Sequence, residues 1–380
     1  MSEKIYKYSM FLILTLFLGL IGIMHITMPD RTFSESENRV LEQRPQFSIK
    51  NLLSGKYTER FEKYISDQFP GRDLWIGIKS DAERAIGKKE NNGVILGKDG
   101  YLFQKFDTPN KDDMEAKLES LNSLASSLKN IDSYFMLVPN SIKILEEKLP
   151  AHIPIEDQKR YIDRIQNSIV NEINFVDVYE ALYAKKDEYI FYKTDHHWTS
   201  HGAYYAYRTL AQAMGFTPLD LGDFDIITVT DSFYGTLYSK SGFRRIEPDS
   251  IEIYIPKTPG EYTVEYVEEG ITNDSLYNMD NLKKKDKYTI FLDGNHPEVR
   301  ITTSAGSNRK LLMIKDSYAH SIVPFLACHF DEIYMIDPRY YNGDIKAIAL
   351  ENSITDILIL YNAATFFELG QGLIPLAPAP

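Results

Sequence analysis

Three of the eight histidines in this 380-residue chain sit close together, in Lys193-Thr194-Asp195-His196-His197-Trp198-Thr199-Ser200-His201. Imidazole changes charge near neutral pH and also ligates metals, so the cluster suits proton transfer or metal binding. In an extended segment side chains alternate, which puts Asp195 and His197 on one side and His196 on the other. A carboxylate placed two residues before a histidine fixes the imidazole's tautomer and stabilises its protonated form. These spacings make His197 a candidate base oriented by Asp195 and leave His196 to packing. A metal reading competes, since His197 and His201 are four apart and would share an ion on a helix, with Asp195 as third ligand. Thr199 weighs against it, because as an N-cap it leaves His197 ahead of the helix. The plainest alternative is that the histidines cap and pack around Trp198.

A base needs a nucleophile or a water. Asp-Ser occurs five times, at 132–133, 231–232, 249–250, 274–275 and 316–317, so context must decide among them. Asp316-Ser317 alone follows a buried-strand run, KLLMIK, and precedes a helical stretch. That arrangement presents Ser317 Oγ at a sheet's carboxyl edge, where the N–H groups of the following helix can stabilise an oxyanion. Asp or Ser before a helix is also the preferred N-cap, so a purely structural reading stands beside the catalytic one. Two more clusters occupy equivalent strand ends. Leu292-Asp293-Gly294-Asn295-His296-Pro297 has the composition of a turn. In Asp337-Pro338-Arg339-Tyr340-Tyr341, an arginine beside two tyrosines suits a sugar or carboxylate, or a structural ion pair.

The elements that must carry these residues alternate. Apolar runs at 134–138, 174–178, 189–193, 310–314, 332–336 and 356–360 read as strands. Helices are expected near 112–129, 141–148, 155–171, 179–185, 200–214, 318–329 and 343–351. Short continuous apolar runs between helices imply a parallel sheet covered on both faces. Residues 222–300 differ, being rich in Thr, Tyr and Ile, and read as an antiparallel β insertion. The terminal IPLAPAP reads as a loose tail.

From Met10 to Met28 the chain is apolar without a formal charge, which as a helix spans roughly 28 Å, about the thickness of a bilayer's hydrocarbon core. Lys4 and Lys7 precede it, so the remainder is expected outside the membrane. Ile26-Thr27-Met28-Pro29 offers no small-residue cleavage site, which favours an anchor over a removed signal. The expected division is a cytoplasmic segment 1–8, an anchor 9–29, a stalk and helical segment 30–93, and an α/β domain 94–380. With Lys+Arg 42 against Asp+Glu 54, the net charge is −12, which argues against nucleic acid as a partner. Cys328, the single cysteine, excludes an internal disulfide and any cysteine-rich metal site.

Asp195-His196-His197-Trp198 matches the signature for which the bacterial DHHW family is named, and the chain resembles that family over nearly all its length after the membrane segment. Phe33-Ser34-Glu35-Ser36-Glu37-Asn38-Arg39, Asp67-Gln68-Phe69-Pro70-Gly71-Arg72 and Asn92-Gly93-Val94 through Asp99-Gly100-Tyr101-Leu102 look like its N-terminal motifs. Lys315-Asp316-Ser317-Tyr318 and Asp337-Pro338-Arg339-Tyr340-Tyr341 look like its C-terminal ones. The family is similar to the SGNH-hydrolase-like alginate O-acetylation proteins, in which an Asp-x-His-Trp motif precedes the serine. The resemblance implies an α/β, SGNH-hydrolase-like three-layer sandwich with a parallel sheet, a β-rich insertion and an N-terminal transmembrane helix. It implies Ser317 as nucleophile, His197 as base and Asp195 as orienting carboxylate. Backbone N–H groups near Tyr318 and the side chain of Asn295 are the candidate oxyanion donors, with Arg339 and Tyr340 as candidate substrate contacts. Lys315 departs from the pattern, standing where SGNH enzymes usually carry glycine. The implied activity is O-acyl transfer, of acetyl, to a cell-surface or secreted polysaccharide at the cell membrane, with a multi-spanning membrane acyltransferase as donor partner. No cofactor and no metal is called for. A carbohydrate esterase, or a non-catalytic glycan-binding or assembly factor on the same fold, are the alternatives.

Overall fold

The computed structural model describes residues 3–34, 36–258 and 260–370. The expected tail at 374–380 and Glu35 of the first N-terminal motif lie outside the described residues. Two compact units are present: Met1–Lys88 with Gly242–Arg245, and Lys89–Ser241 with Ile246–Pro380.

The first unit begins with the helix Glu3–Thr27, whose 25 residues are long and apolar enough to cross a membrane. Helices Lys56–Asp67 and Arg72–Ala85 follow, broken at Pro70-Gly71. Two of the sequence motifs meet here through ion pairs. Arg39 grips Asp67 with two nitrogens, at 2.9 and 2.6 Å, and Arg72 Nε reaches Glu37 at 2.9 Å. The Arg39 hydrogen bonds hold the Asp67 carboxyl down to about 2, against the opposing effect of its burial.

The second unit is built on an eight-stranded mixed sheet. Its strands lie side by side in the order Ile271–Asn273, Tyr262–Tyr266, Glu298–Thr303, Glu332–Ile336, Lys310–Lys315, Asp356–Asn362, Asp132–Val138, Ile173–Phe175. From Glu332–Ile336 onward all pairings are parallel, and the strands before it are antiparallel. Leu311 through Ile314 and Ile357 through Tyr361 are wholly buried, as strands covered on both faces must be. Helices Lys111–Ser127, Gln158–Gln166 and Ser200–Met214 press Leu121, Leu124, Ile162, Ile165 and Leu210 into the same core.

The insertion divides. Phe224–Phe233 and Asp249–Pro256 pair as a separate antiparallel ribbon, as expected. Tyr262–Tyr266, Ile271–Asn273 and Glu298–Thr303 instead extend the main sheet, because the free edge of Glu332–Ile336 leaves backbone groups that require partners. Two other expectations change. The run 189–193 is no sheet strand; Phe191 makes an isolated bridge with Trp198. The helix expected near 318–329 is a 3₁₀ turn, Ser317–Ser321, followed by the short helix Val323–Leu326, with Pro324 unable to donate within a longer one.

Candidate active site

Parallel strands end on one edge, so the residues just past each carboxyl terminus converge. Here they are polar: Asp316 and Ser317 after Lys310–Lys315, Asp337 after Glu332–Ile336, Asn362 closing Asp356–Asn362, and Asn140 just beyond Asp132–Val138. Lys310–Lys315 lies between the two strands that follow it in the chain, so the topology reverses at the strand that carries Ser317. Asp316 Oδ2 accepts from the Asn362 main chain at 2.8 Å and from its Nδ2 at 2.6 Å. Asp316 Oδ1 accepts from Tyr318 N at 2.9 Å. Asp316 is therefore the residue that caps the turn, and Ser317, half-buried among buried neighbours, has its hydroxyl free for other work. Burial pushes the Asp316 carboxyl up, opposed by the Asn362 hydrogen bond.

That hydroxyl lies 2.7 Å from His197 Nε2, across a sequence separation of 120 residues. His197 Nδ1 lies 2.5 Å from Asp195 Oδ1. A carboxylate only accepts, so His197 carries its proton on Nδ1 and offers the Nε2 lone pair to Ser317. Burial opposes charge on Asp195. The adjacent imidazoles of His196 and His197, with hydrogen bonds from His197 and the Thr236 N–H, outweigh it and hold the carboxyl below its ordinary range.

Asp195 Oδ2 accepts from the N–H of Thr236 at 2.7 Å and from its hydroxyl at 3.0 Å. Because that hydroxyl donates to Asp195, its oxygen accepts from His196 Nδ1 at 2.7 Å. His196 is thus not turned away as alternation predicts. Residues 193–197 form successive bends, and the His196 ring sits 3.9 Å from that of His197. Burial there, reinforced by His197, pushes the His196 imidazole down to about 3. Gly235 is required beside this carboxylate, since a Cβ there would stand 2.3 Å from Asp195 Cβ.

The loop is anchored at both ends. Asp249, from the insertion's ribbon, accepts from Lys193 N at 2.8 Å, Thr194 N at 2.8 Å, Thr194 Oγ1 at 2.5 Å and Tyr189 OH at 2.5 Å. Trp198 Nε1 donates to the carbonyl of Tyr318 at 3.0 Å, and the Tyr318 hydroxyl donates to the carbonyl of His196. Trp198 and Tyr318 thereby staple the histidine loop to the serine turn. As expected, Thr199 caps Ser200–Met214, its side chain accepting from Gly202 N.

The remaining expected site residues form a neighbouring group. Arg339 binds Asp337 with two nitrogens, at 2.8 and 2.6 Å, and reaches Asn295 Oδ1 at 3.4 Å. Its guanidinium lies 5.4 Å from the ring of Tyr340, which is 48% exposed. Lys315 extends beneath them, fully buried, with Nζ 3.1 Å from Asp337 and 2.9 Å from His320 Nε2. Burial pushes the Lys315 ammonium down in spite of Asp337. Tyr318 is wholly buried and its N–H is engaged by Asp316. His201 turns to Glu188 and Tyr254 and joins neither Asp195 nor His197. Among the described residues, Asp195, His196 and His197 bring ligand atoms within 4.8 Å of one another, but both nitrogens of His197 and both oxygens of Asp195 are already hydrogen-bonded.

Residues that sequence reasoning passed over are Gly235, Thr236, Asp249, Asn140 and Asn362. Asp249 belongs to one of the five Asp-Ser pairs and carried no distinguishing signal. Asn140 and Asn362 each follow an apolar run, and a polar residue at a strand's carboxyl end was a usable clue.

The chain is similar to known proteins in sequence and in fold. The model of the family described as DHHW protein matches residues 77–336. The solved structure of a DHHW family protein from Eubacterium siraeum superposes with a TM-score of 0.66 at 26% identity, covering 76% of this chain and 95% of that one. Bacillus cereus PatB1 shares the fold, with a TM-score of 0.62 at 21% identity over 72% of this chain and 98% of that one. A probable alginate O-acetylase AlgJ from Pseudomonas fluorescens is 23% identical over 239 residues. The match covers 60% of this chain and only 60% of the length of that relative. With more than half its length matched by the family model, the chain belongs to the DHHW family.

Proposed function

We propose that this protein is a membrane-anchored, extracytoplasmic O-acyltransferase, transferring acetyl to a cell-surface or secreted polysaccharide through Ser317, His197 and Asp195. The carrying observation is the unbroken hydrogen-bonded line from Ser317 Oγ through the His197 imidazole to Asp195, assembled from distant parts of the chain. Ser317 Oγ attacks the acyl carbonyl as its proton passes to His197 Nε2. The tetrahedral intermediate collapses, and the leaving group departs with the proton from His197. A sugar hydroxyl then attacks the Ser317 ester, His197 takes its proton, and Ser317 is restored. Oxyanion donation is assigned to main-chain N–H groups of the Ser317–Ser321 turn, that of Tyr318 being shared with Asp316, and to the Asn295 side chain. Arg339 and Tyr340 border the acceptor. In this reading residues 1–8 face the cytoplasm, 9–29 span the membrane, 30–93 form a stalk and helical segment, and 94–380 form an SGNH-like three-layer sandwich with a β-rich insertion. A multi-spanning membrane acyltransferase supplies the acyl group. The similarity to an alginate O-acetylase supports acetyl and a polysaccharide as the two substrates.

The test uses the full chain in detergent with 4-nitrophenyl acetate. Wild type should form an acetyl ester on Ser317, detected by peptide mass, and release nitrophenol. Ser317→Ala should lose at least about 10³-fold in rate. Equal turnover by Ser317→Ala would sink the proposal.

A further inference from the structure

We infer that Tyr288 is a positioning residue for the base: its ring holds the His197 imidazole in its working plane, and its hydroxyl ties that ring to the serine's own turn. The inference rests on reading Ser317, His197 and Asp195 as the triad.

The Tyr288 ring lies 3.7 Å from that of His197 with only 11° between the planes. Its hydroxyl is 3.2 Å from the carbonyl oxygen of Ser317 and 3.2 Å from Ser321 Oγ. One side chain therefore contacts the base by its face and the nucleophile's backbone by its tip. Hydrogen bonds at Nδ1 and Nε2 act in the plane of the imidazole and resist displacement of the ring along its normal only weakly. A flat ring packed on its face removes that motion. The contact also changes in strength during turnover. A tyrosine face is electron-rich, so it attracts imidazolium more than imidazole, and in the proposed step His197 takes the proton of the serine.

Tyr288 is itself immobilised. It is 4% exposed, with Tyr192 edge-on at 6.3 Å and Phe291 at 5.2 Å. It arises from the Lys287–Ile290 turn within the insertion, 29 residues before Ser317. A residue serving only the small core it shares with Phe233, Ile251 and Ile290 would affect folding and leave turnover unchanged.

Steady-state hydrolysis of 4-nitrophenyl acetate by the full chain in detergent separates the two roles. Tyr288→Leu and Tyr288→Met remove the flat face and should lower kcat about tenfold or more with KM within about twofold. Tyr288→Phe keeps the face and should retain kcat within about threefold of wild type. Thermal unfolding identifies a variant that fails to fold, in which case the remaining variants decide. Wild-type kcat in folded Tyr288→Leu or Tyr288→Met would overturn the inference, as would Tyr288→Phe being as slow as either. Wild-type turnover that survives Ser317→Ala would remove the triad reading and this inference together.

Discussion

The two halves of the site are held by different means. Ser317 follows a central strand in the parallel half of the sheet, and the Leu311 to Ile314 backbone pairs with strands on both sides. Its position follows from main-chain ladders, with Asp316 bound to the Asn362 N–H as the last step. His197 and Asp195 stand on a loop outside the sheet, held largely by side-chain contacts: Asp249, Trp198 and Tyr318 by their side chains, and Thr236 by both its N–H and its hydroxyl. A nucleophile must sit at a fixed place, which a sheet edge supplies cheaply. A base must also hold one tautomer and one ring plane, which demands directional partners around it.

Asp249→Ala should separate the halves most. It strands two main-chain N–H groups and two hydroxyls, so a loss of about 3–5 kcal/mol is expected in denaturant unfolding, together with loss of turnover. If stability falls by less than 1 kcal/mol, as roughly one exposed bond would give, the loop has other anchors. Gly235→Ala is expected next. The added methyl must displace the Asp195 carboxylate, lowering kcat by about 10²-fold while costing about 1–3 kcal/mol. Turnover at the wild-type rate would show that the base tolerates a shifted carboxylate. Asn362→Ala should do least on the nucleophile side, because its main-chain N–H still holds Asp316. We expect about 1–2 kcal/mol of destabilisation and less than about a tenfold loss in rate. A larger kinetic effect than that of Gly235→Ala would reverse the contrast.

The same contrast explains what could be read in advance. KLLMIK, EIYMI and DILIL are continuous apolar runs, and continuous runs are what doubly covered strands require, so the sheet's parallel half was legible. So were Thr199 as a cap and the Asp195–His197 pair, because both rest on spacings of a few residues. The run 189–193 misled, since Tyr192 there buries against the insertion and Phe191 in the main core, and neither pairs in a sheet. His196 misled because alternation holds for extended chain, and residues 193–197 bend. The residues packed around Asp195 and His197 were illegible. Gly235, Thr236, Asp249 and Tyr288 all come from 222–300, which reads as decoration when its contacts are unknown.

Local chemistry thus specified the apolar amino-terminal helix, the strand-forming runs, the histidine–carboxylate spacing and the isolated Ser317 at a strand's end. Each follows from interactions between near neighbours in the chain. Whether that serine meets that histidine, which nitrogen carries the proton, and which ring lies against the imidazole depended on folding. Those outcomes join residues from Asn140 to Asn362, and no pattern along one segment encodes a contact whose partner lies in another.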